Sequence, residues 1–213
     1  MKNVNEPSRD CGLCPRLVEY RLKNRQVYPS FFNAPVPSFG SIDSEMLIVG
    51  LAPGVKGANQ TGRPFTGDYA GDLLYATLLK FGFAKGAYHA RSDDGLKLEN
   101  CRITNAVKCV PPQNKPIGAE VKACRAFLID EIQAMPNLKV LFALGGLSHG
   151  AILSTLGERK TDFKFAHNAV HQLSSGINLI NSYHCSRYNT NTRRLTTEMF
   201  EDVFKSVCGK LGC

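Results

Sequence analysis

Met46-Leu47-Ile48-Val49-Gly50-Leu51-Ala52-Pro53-Gly54 is an apolar run that empties into a turn built on proline and glycine. Thr61-Gly62-Arg63-Pro64-Phe65-Thr66-Gly67-Asp68 follows, and then Leu73-Leu74-Tyr75-Ala76-Thr77-Leu78-Leu79, which reads as a helix. Strand, polar loop and helix in that order are how α/β sheets build pockets at the carboxyl ends of their strands. The loop brings one acid, one aromatic ring and little bulk beside the backbone. That mixture suits a flat, polar, ring-shaped ligand.

Working outward, further strands are expected over about Met46–Val49, Arg102–Val107, Leu138–Leu144 and Ile177–Asn181. Helices are expected over about Tyr69–Phe81, from Gly118 to Pro136, in a short turn holding His149, and from near Thr196. In the second of these, Val121, Cys124, Leu128, Ile132 and Met135 recur at helical spacing. Lys85–Asn100 reads as a loop or small hairpin, with Asp94-Gly95 as its turn. Strands alternating with helices imply three layers, α/β/α, around a central, mostly parallel four-stranded sheet. The chain is expected to form a single domain, residues 1–213, with an amino-terminal cysteine-bearing cap over about 1–40. Three segments, Gly50–Asp68, Asn105–Pro112 and His184–Arg194, leave strand ends on one edge and can meet in one crevice.

The 213 residues suffice for one domain with a real core, and 43% are hydrophobic. No apolar run reaches bilayer length, and the start carries no leader-like apolar stretch. A cytoplasmic protein that does not engage membranes is expected, with thiols or metal ligands rather than disulfides among its eight cysteines. A net charge of +8 favours a polyanionic partner without identifying one.

Cys11-Gly12-Leu13-Cys14 is a tight pair; Cys109 and Cys124 are distant singles. Cys124 falls on the apolar face of its helix, where a free thiol is ordinary core material. Cys109 precedes Val110-Pro111-Pro112, with no obvious core pocket. Structural zinc usually takes two tight pairs. One pair and two singles fit an iron–sulfur cluster better. Zinc and no metal at all remain alternatives on spacing. Cys101, Cys185, Cys208 and Cys213 read as spare thiols.

Asp68 stands where a helix N-cap belongs, and a capping carboxylate keeps one oxygen free to hold a water. Phe65 is either a plug or a stacking platform. Asn105 ends an apolar strand, where its amide must be hydrogen-bonded or read a ligand edge offering both a donor and an acceptor. His184 ends the fourth strand. The loop after it carries Arg187, Tyr188, Asn189, Asn191, Arg193 and Arg194, residue types that grip phosphates.

Taken together, Gly50–Gly54, Thr61–Asp68, Ile103–Pro112 and Asn189–Thr196 make the chain resemble the uracil-DNA glycosylase superfamily, most closely its family 5. The resemblance runs from Cys11 to the last helix. It implies a monomeric repair enzyme that flips uracil out of DNA and hydrolyses the N-glycosidic bond, with hypoxanthine and other deaminated bases associated with family 5 as well. It implies base contacts from Gly50, Leu51, Ala52, Pro53, Gly54, Phe65, Asn105 and His184, catalysis by Asp68, His184 and Asn105, and DNA contacts from the arginine-bearing loop. By likeness to the related family 4 enzymes, Cys11, Cys14, Cys109 and Cys124 would hold a structural [4Fe–4S] cluster. Two departures stand out. Leu51 and Ala52 occupy the place where family 4 carries a glutamate, an absence family 5 shares, with the aspartate matching Asp68 taking over. Cys185 follows the histidine where many relatives have proline. The competing readings are a non-catalytic iron–sulfur or zinc nucleic-acid-binding module and a hydrolase of free nucleosides.

Overall fold

In the computed structural model, which describes residues 4–213, the elements run α1 (Pro15–Val27), β1 (Met46–Gly50), α2 (Ala58–Thr61), α3 (Tyr69–Lys80), β2 (Ala84–Lys85), β3 (Lys97–Leu98), β4 (Cys101–Asn105), α4 (Gly118–Ala134), β5 (Val140–Leu144), α5 (Gly146–Leu156), β6 (Val170–Gln172), β7 (Asn178–Ser182), α6 (Arg187–Asn191) and α7 (Thr197–Leu211). Residues 1–3, part of the stretch read as carrying no leader, lie outside the described residues.

The main sheet has strand order β4-β1-β5-β7-β6. The first four strands are parallel, as expected. The fifth corrects the expected count of four: β6 pairs antiparallel with β7 at the sheet edge. Its three residues, Val170-His171-Gln172, are mostly exposed and carry no apolar run, so nothing in their composition marks a strand. The expected small hairpin is present as the antiparallel pair β2 and β3.

Side chains of β1 alternate between two cores. Met46 and Ile48 join Leu74, Leu78, Phe200 and Phe204 under α3 and α7. Leu47 and Val49 join Leu128, Ile132 and Ile152 under α4 and α5. Both faces of the parallel strands are therefore covered, which accounts for the continuous apolar sequence of β1 and β5. A buried polar strip also ties β4 to α4: Glu131 accepts from Arg102 Nε at 2.7 Å and from Thr104 Oγ1 at 2.8 Å, and Lys108 Nζ lies 3.3 Å from it. Register sets Gly50 beside Asn105, and Leu144 beside Ser182, at one edge. The segments that leave these strands converge there. Among the described residues no helix is long and apolar enough to cross a membrane.

Candidate active site

A cavity of about 380 Å³ opens at that edge, lined among others by Leu51, Ala52, Pro53, Gly54, Phe65, Asp68, Asn105 and His184. Asp68, Asn105, Phe65 and His184, far apart in sequence, thus share one hollow, as the sequence predicts.

The floor is set by a glycine. A side chain at Gly50 would lie 2.3 Å from Asn105 Oδ1 and 2.6 Å from the Phe65 ring, so only hydrogen there leaves both groups their places. Phe65 is buried, with its backbone in the left-handed region at φ +52°, a strained conformation for a bulky residue. Its surroundings fix it. Tyr75 donates to Pro64 O at 2.7 Å, and Tyr88 donates to Phe65 O at 3.3 Å. Arg63 donates to Thr66 Oγ1 at 2.8 Å and grips Asp94 with two hydrogen bonds of 2.7 Å. Strain held this firmly is a mark of functional sites.

Asp68 is the N-cap of α3, accepting from Gly71 N at 3.3 Å through Oδ1. Its other oxygen faces glycines. A side chain at Gly57 would meet Asp68 Oδ2 at 2.2 Å, and one at Gly54 would lie 3.4 Å from that oxygen and 4.0 Å from Asn114 Oδ1. The cap and the free oxygen coexist, with a small polar niche beside the latter. Burial raises the Asp68 carboxyl above its ordinary 3.8, against the hydrogen bonds from Gly71 and Ala70. His184 stands across from Phe65, ring centroids 6.0 Å apart and planes tilted by 34°. Burial holds its imidazole below the usual 6.5, so it is neutral at neutral pH, and its Nδ1 is buried without a hydrogen-bond partner.

Five cavity-lining residues went unread in the sequence: Ala58, Ala70 and, with polar groups, Asn114, Tyr69 and Ser186. Asn114 lies two residues past Pro112, in the same post-β4 segment, and has φ +56°. Carrying that segment slightly further would have included it. Cys185 is not spare: it is fully buried, and its Sγ donates to Ala70 O at 3.3 Å.

The loop after His184 begins with a short helix, α6, capped by Ser186. Arg187 lies over the Tyr69 ring at 5.2 Å and lines the cavity. Arg194 lies over Tyr183 at 4.6 Å. Tyr188 is 72% exposed, and Asn191 and Arg193 are exposed beside it. Asn189 differs, since its amide donates to His184 O at 2.8 Å and so holds the histidine's loop.

Near the amino terminus, Cys14, Cys109 and Cys124 pack together with Leu17 and Val107. Burial pushes the Cys14 thiol up to about 11 and Cys109 up to about 12, with charge on Cys124 and Cys11 adding to both. The buried Arg21 donates to Cys109 Sγ at 3.6 Å and to Cys11 O at 2.9 Å, and its Nε has no partner. The Arg21 guanidinium thus touches one of these thiols directly and meets no carboxylate within ion-pair distance among the described residues. Among the described residues, however, no group of three or more His, Cys, Asp or Glu side chains is placed so that it could hold a metal ion.

The family model described as the uracil DNA glycosylase superfamily matches residues 37–208. The type-5 uracil-DNA glycosylase of Thermus thermophilus is 41% identical over 198 residues, covering 91% of this chain and 90% of that protein. That of Pyrobaculum aerophilum is 38% identical, covering 96% and 90%. A type-4 uracil-DNA glycosylase of Pyrobaculum aerophilum is 34% identical over 160 residues, covering 75% and 67%. These matches span the strand ends that build the cavity, so the hollow and the sequence kinship point the same way: the chain belongs to the uracil-DNA glycosylase superfamily, alongside its type-5 members.

Proposed function

We propose that the cavity receives a uracil turned out of DNA and that the residues around it hydrolyse its N-glycosidic bond, leaving an abasic site. The observation that carries this reading is the meeting of Asp68, Phe65, Asn105 and His184 in one hollow. A base cannot be reached inside a duplex, so extrusion precedes chemistry at a cost of a few kcal/mol. Phe65 stacks on the extruded ring. Asn105 accepts from uracil N3–H and donates to O4. Cytosine offers the reverse pattern, and mispairing it at a buried amide costs about 1–3 kcal/mol per unsatisfied group.

Cleavage puts negative charge on the departing base and positive charge on the sugar. A neutral His184 donates a hydrogen bond to uracil O2 and stabilises the leaving anion, as an oxyanion-hole donor does. Ionised Asp68 holds the attacking water through its free oxygen and favours the cationic sugar. The niche bounded by Gly54, Gly57 and Asn114 beside that oxygen is room for the water. Leu51 and Ala52 present no carboxylate to the base. This supports a wider base range, hypoxanthine included.

The same proposal covers the four cysteines. The buried Arg21, lacking a carboxylate partner, favours an iron–sulfur cluster held by Cys11, Cys14, Cys109 and Cys124 over a neutral thiol cluster. A single zinc ion asks four sulfurs to close to about 2.3 Å around one point. The placement of the side chains, with no three of them set to hold an ion among the described residues, favours neither alternative over the other. When bound, the group supplies a structural tie between the cap, the end of β4 and α4.

Incubation with a uracil-containing oligonucleotide, followed by alkali, tests the activity. Strand breaks at the uracil position are expected; intact strands would overturn the reading.

A further inference from the structure

A groove of about 540 Å³ runs from the catalytic side of the molecule across α5 to α4. It adjoins the cavity. Leu51 lines both, and Gly146, Leu147 and Phe165 line both the groove and the small hollow beside His184. Three cations line it, Arg125 of α4 and Lys160 and Lys164 of the segment after α5, and no Asp or Glu does. None of the three meets a carboxylate within ion-pair distance among the described residues. Arg125 Nε is buried without a hydrogen-bond partner among the described residues. Lys160 folds back over α5, so that a side chain at Gly150 would lie 3.7 Å from its Nζ.

An unpaired guanidinium nitrogen kept from water is costly unless an anion meets it. Arg125 and the exposed Lys160 and Lys164, in one channel with acids excluded, carry a concentrated share of the chain's net charge of +8. Arg187 at the cavity and Arg194 in the small hollow extend the row back to the site. A cationic channel that opens from a base-sized hollow matches a polymer with regularly spaced anions attached to that base. We propose that this groove holds the phosphate backbone of the uracil-bearing strand to one side of the extruded nucleotide. The inference rests on the glycosylase reading and adds a second footprint, separate from the loop after His184.

The test compares the full chain with Arg125→Gln/Lys160→Ala/Lys164→Ala, and with Lys160→Glu/Lys164→Glu, which alters exposed side chains only. Binding to undamaged DNA is measured across a salt series. The triple variant is expected to bind about tenfold or more weakly, with a log–log salt slope shallower by about 2–3. The charge reversal is expected to weaken binding at least as much. In parallel, excision is measured on a long uracil-containing duplex and on a uracil trinucleotide too short to enter the groove. The variants are expected to lose kcat/KM on the long substrate alone. Unchanged salt slopes, or equal losses on both substrates, would overturn the groove. Absence of excision by the unaltered chain would instead remove the glycosylase reading, and the binding series would still decide whether DNA lies in the groove.

Discussion

The rings of Phe65 and His184 face the same cavity with centroids 6.0 Å apart, tilted by 34°. A pyrimidine lying on Phe65 therefore has its edge within reach of the imidazole. In the proposed reaction, one residue holds the plane of the base and the other meets the charge that gathers on it.

Phe65→Ala is expected to lower single-turnover excision by about ten- to a hundredfold, the stacking energy being about 1–3 kcal/mol per base. Because the side chain is buried in the core, thermal melting should fall as well, and circular dichroism checks that the fold survives at the assay temperature. Excision unchanged by the substitution would leave Phe65 as a plug and no more.

Asp68 gives a prediction with two signs. Its folded carboxyl binds a proton more tightly than the unfolded one, because burial lifts it above 3.8. Ionisation therefore costs stability, a cost present at neutral pH and lost as pH falls towards 3.8. Asp68→Asn keeps a good N-cap and removes that cost. The variant should melt no lower than the unaltered chain while losing at least about a hundredfold in excision. The unaltered chain's rate should rise with pH as this carboxyl ionises and then level off. A rate–pH profile with no acid limb would take Asp68 out of the role of base.

Asn105→Ala should reduce uracil excision more than DNA affinity, by about 1–3 kcal/mol in kcat/KM. Parallel assays with uracil and cytosine in the same sequence measure the narrowing of the preference. A preference that survives intact would place the reading of the base elsewhere.

Arg63→Met leaves Asp94, whose side chain is fully buried, without its cation. Breaking such a pair costs about 3–5 kcal/mol. The guanidinium holds the Asp94 carboxyl well below the usual carboxylate range, so the stability it brings is present above 3.8 and lost only in strong acid. The variant should therefore lose stability at neutral pH, measured by urea denaturation, and lose less at very low pH. An equal loss at both would mean that packing, not charge, is at stake.

For the cysteines, purification without oxygen should give a brown protein with iron and sulfide bound. Cys109→Ser should bleach it. A colourless protein lacking iron would refute the proposed cluster whatever its activity.

β1 and β5 were legible because burial on both faces favours unbroken apolar runs; β4 and β7, each interrupted by polar residues, were legible from the alternation of strands with helices. β6 was not, because three half-exposed residues at a sheet edge need no such pattern. Asp68 was legible as a cap from its place before Tyr69, and His184 from its place at a strand end. Cys185 and Asn114 were not. The thiol's worth lies in a carbonyl more than a hundred residues earlier in the chain, and the amide's in two glycines that leave space near it. The Arg63–Asp94 clamp escaped for the same reason, since a long-range partner leaves no periodic trace.

That clamp, with the tyrosine hydroxyls that hold the Pro64 and Phe65 carbonyls, means the aromatic shelf is already shaped when no nucleotide is near. On the proposed reading, recognition works by template rather than by closure, and a base is accepted only where it fits a shelf already held in place.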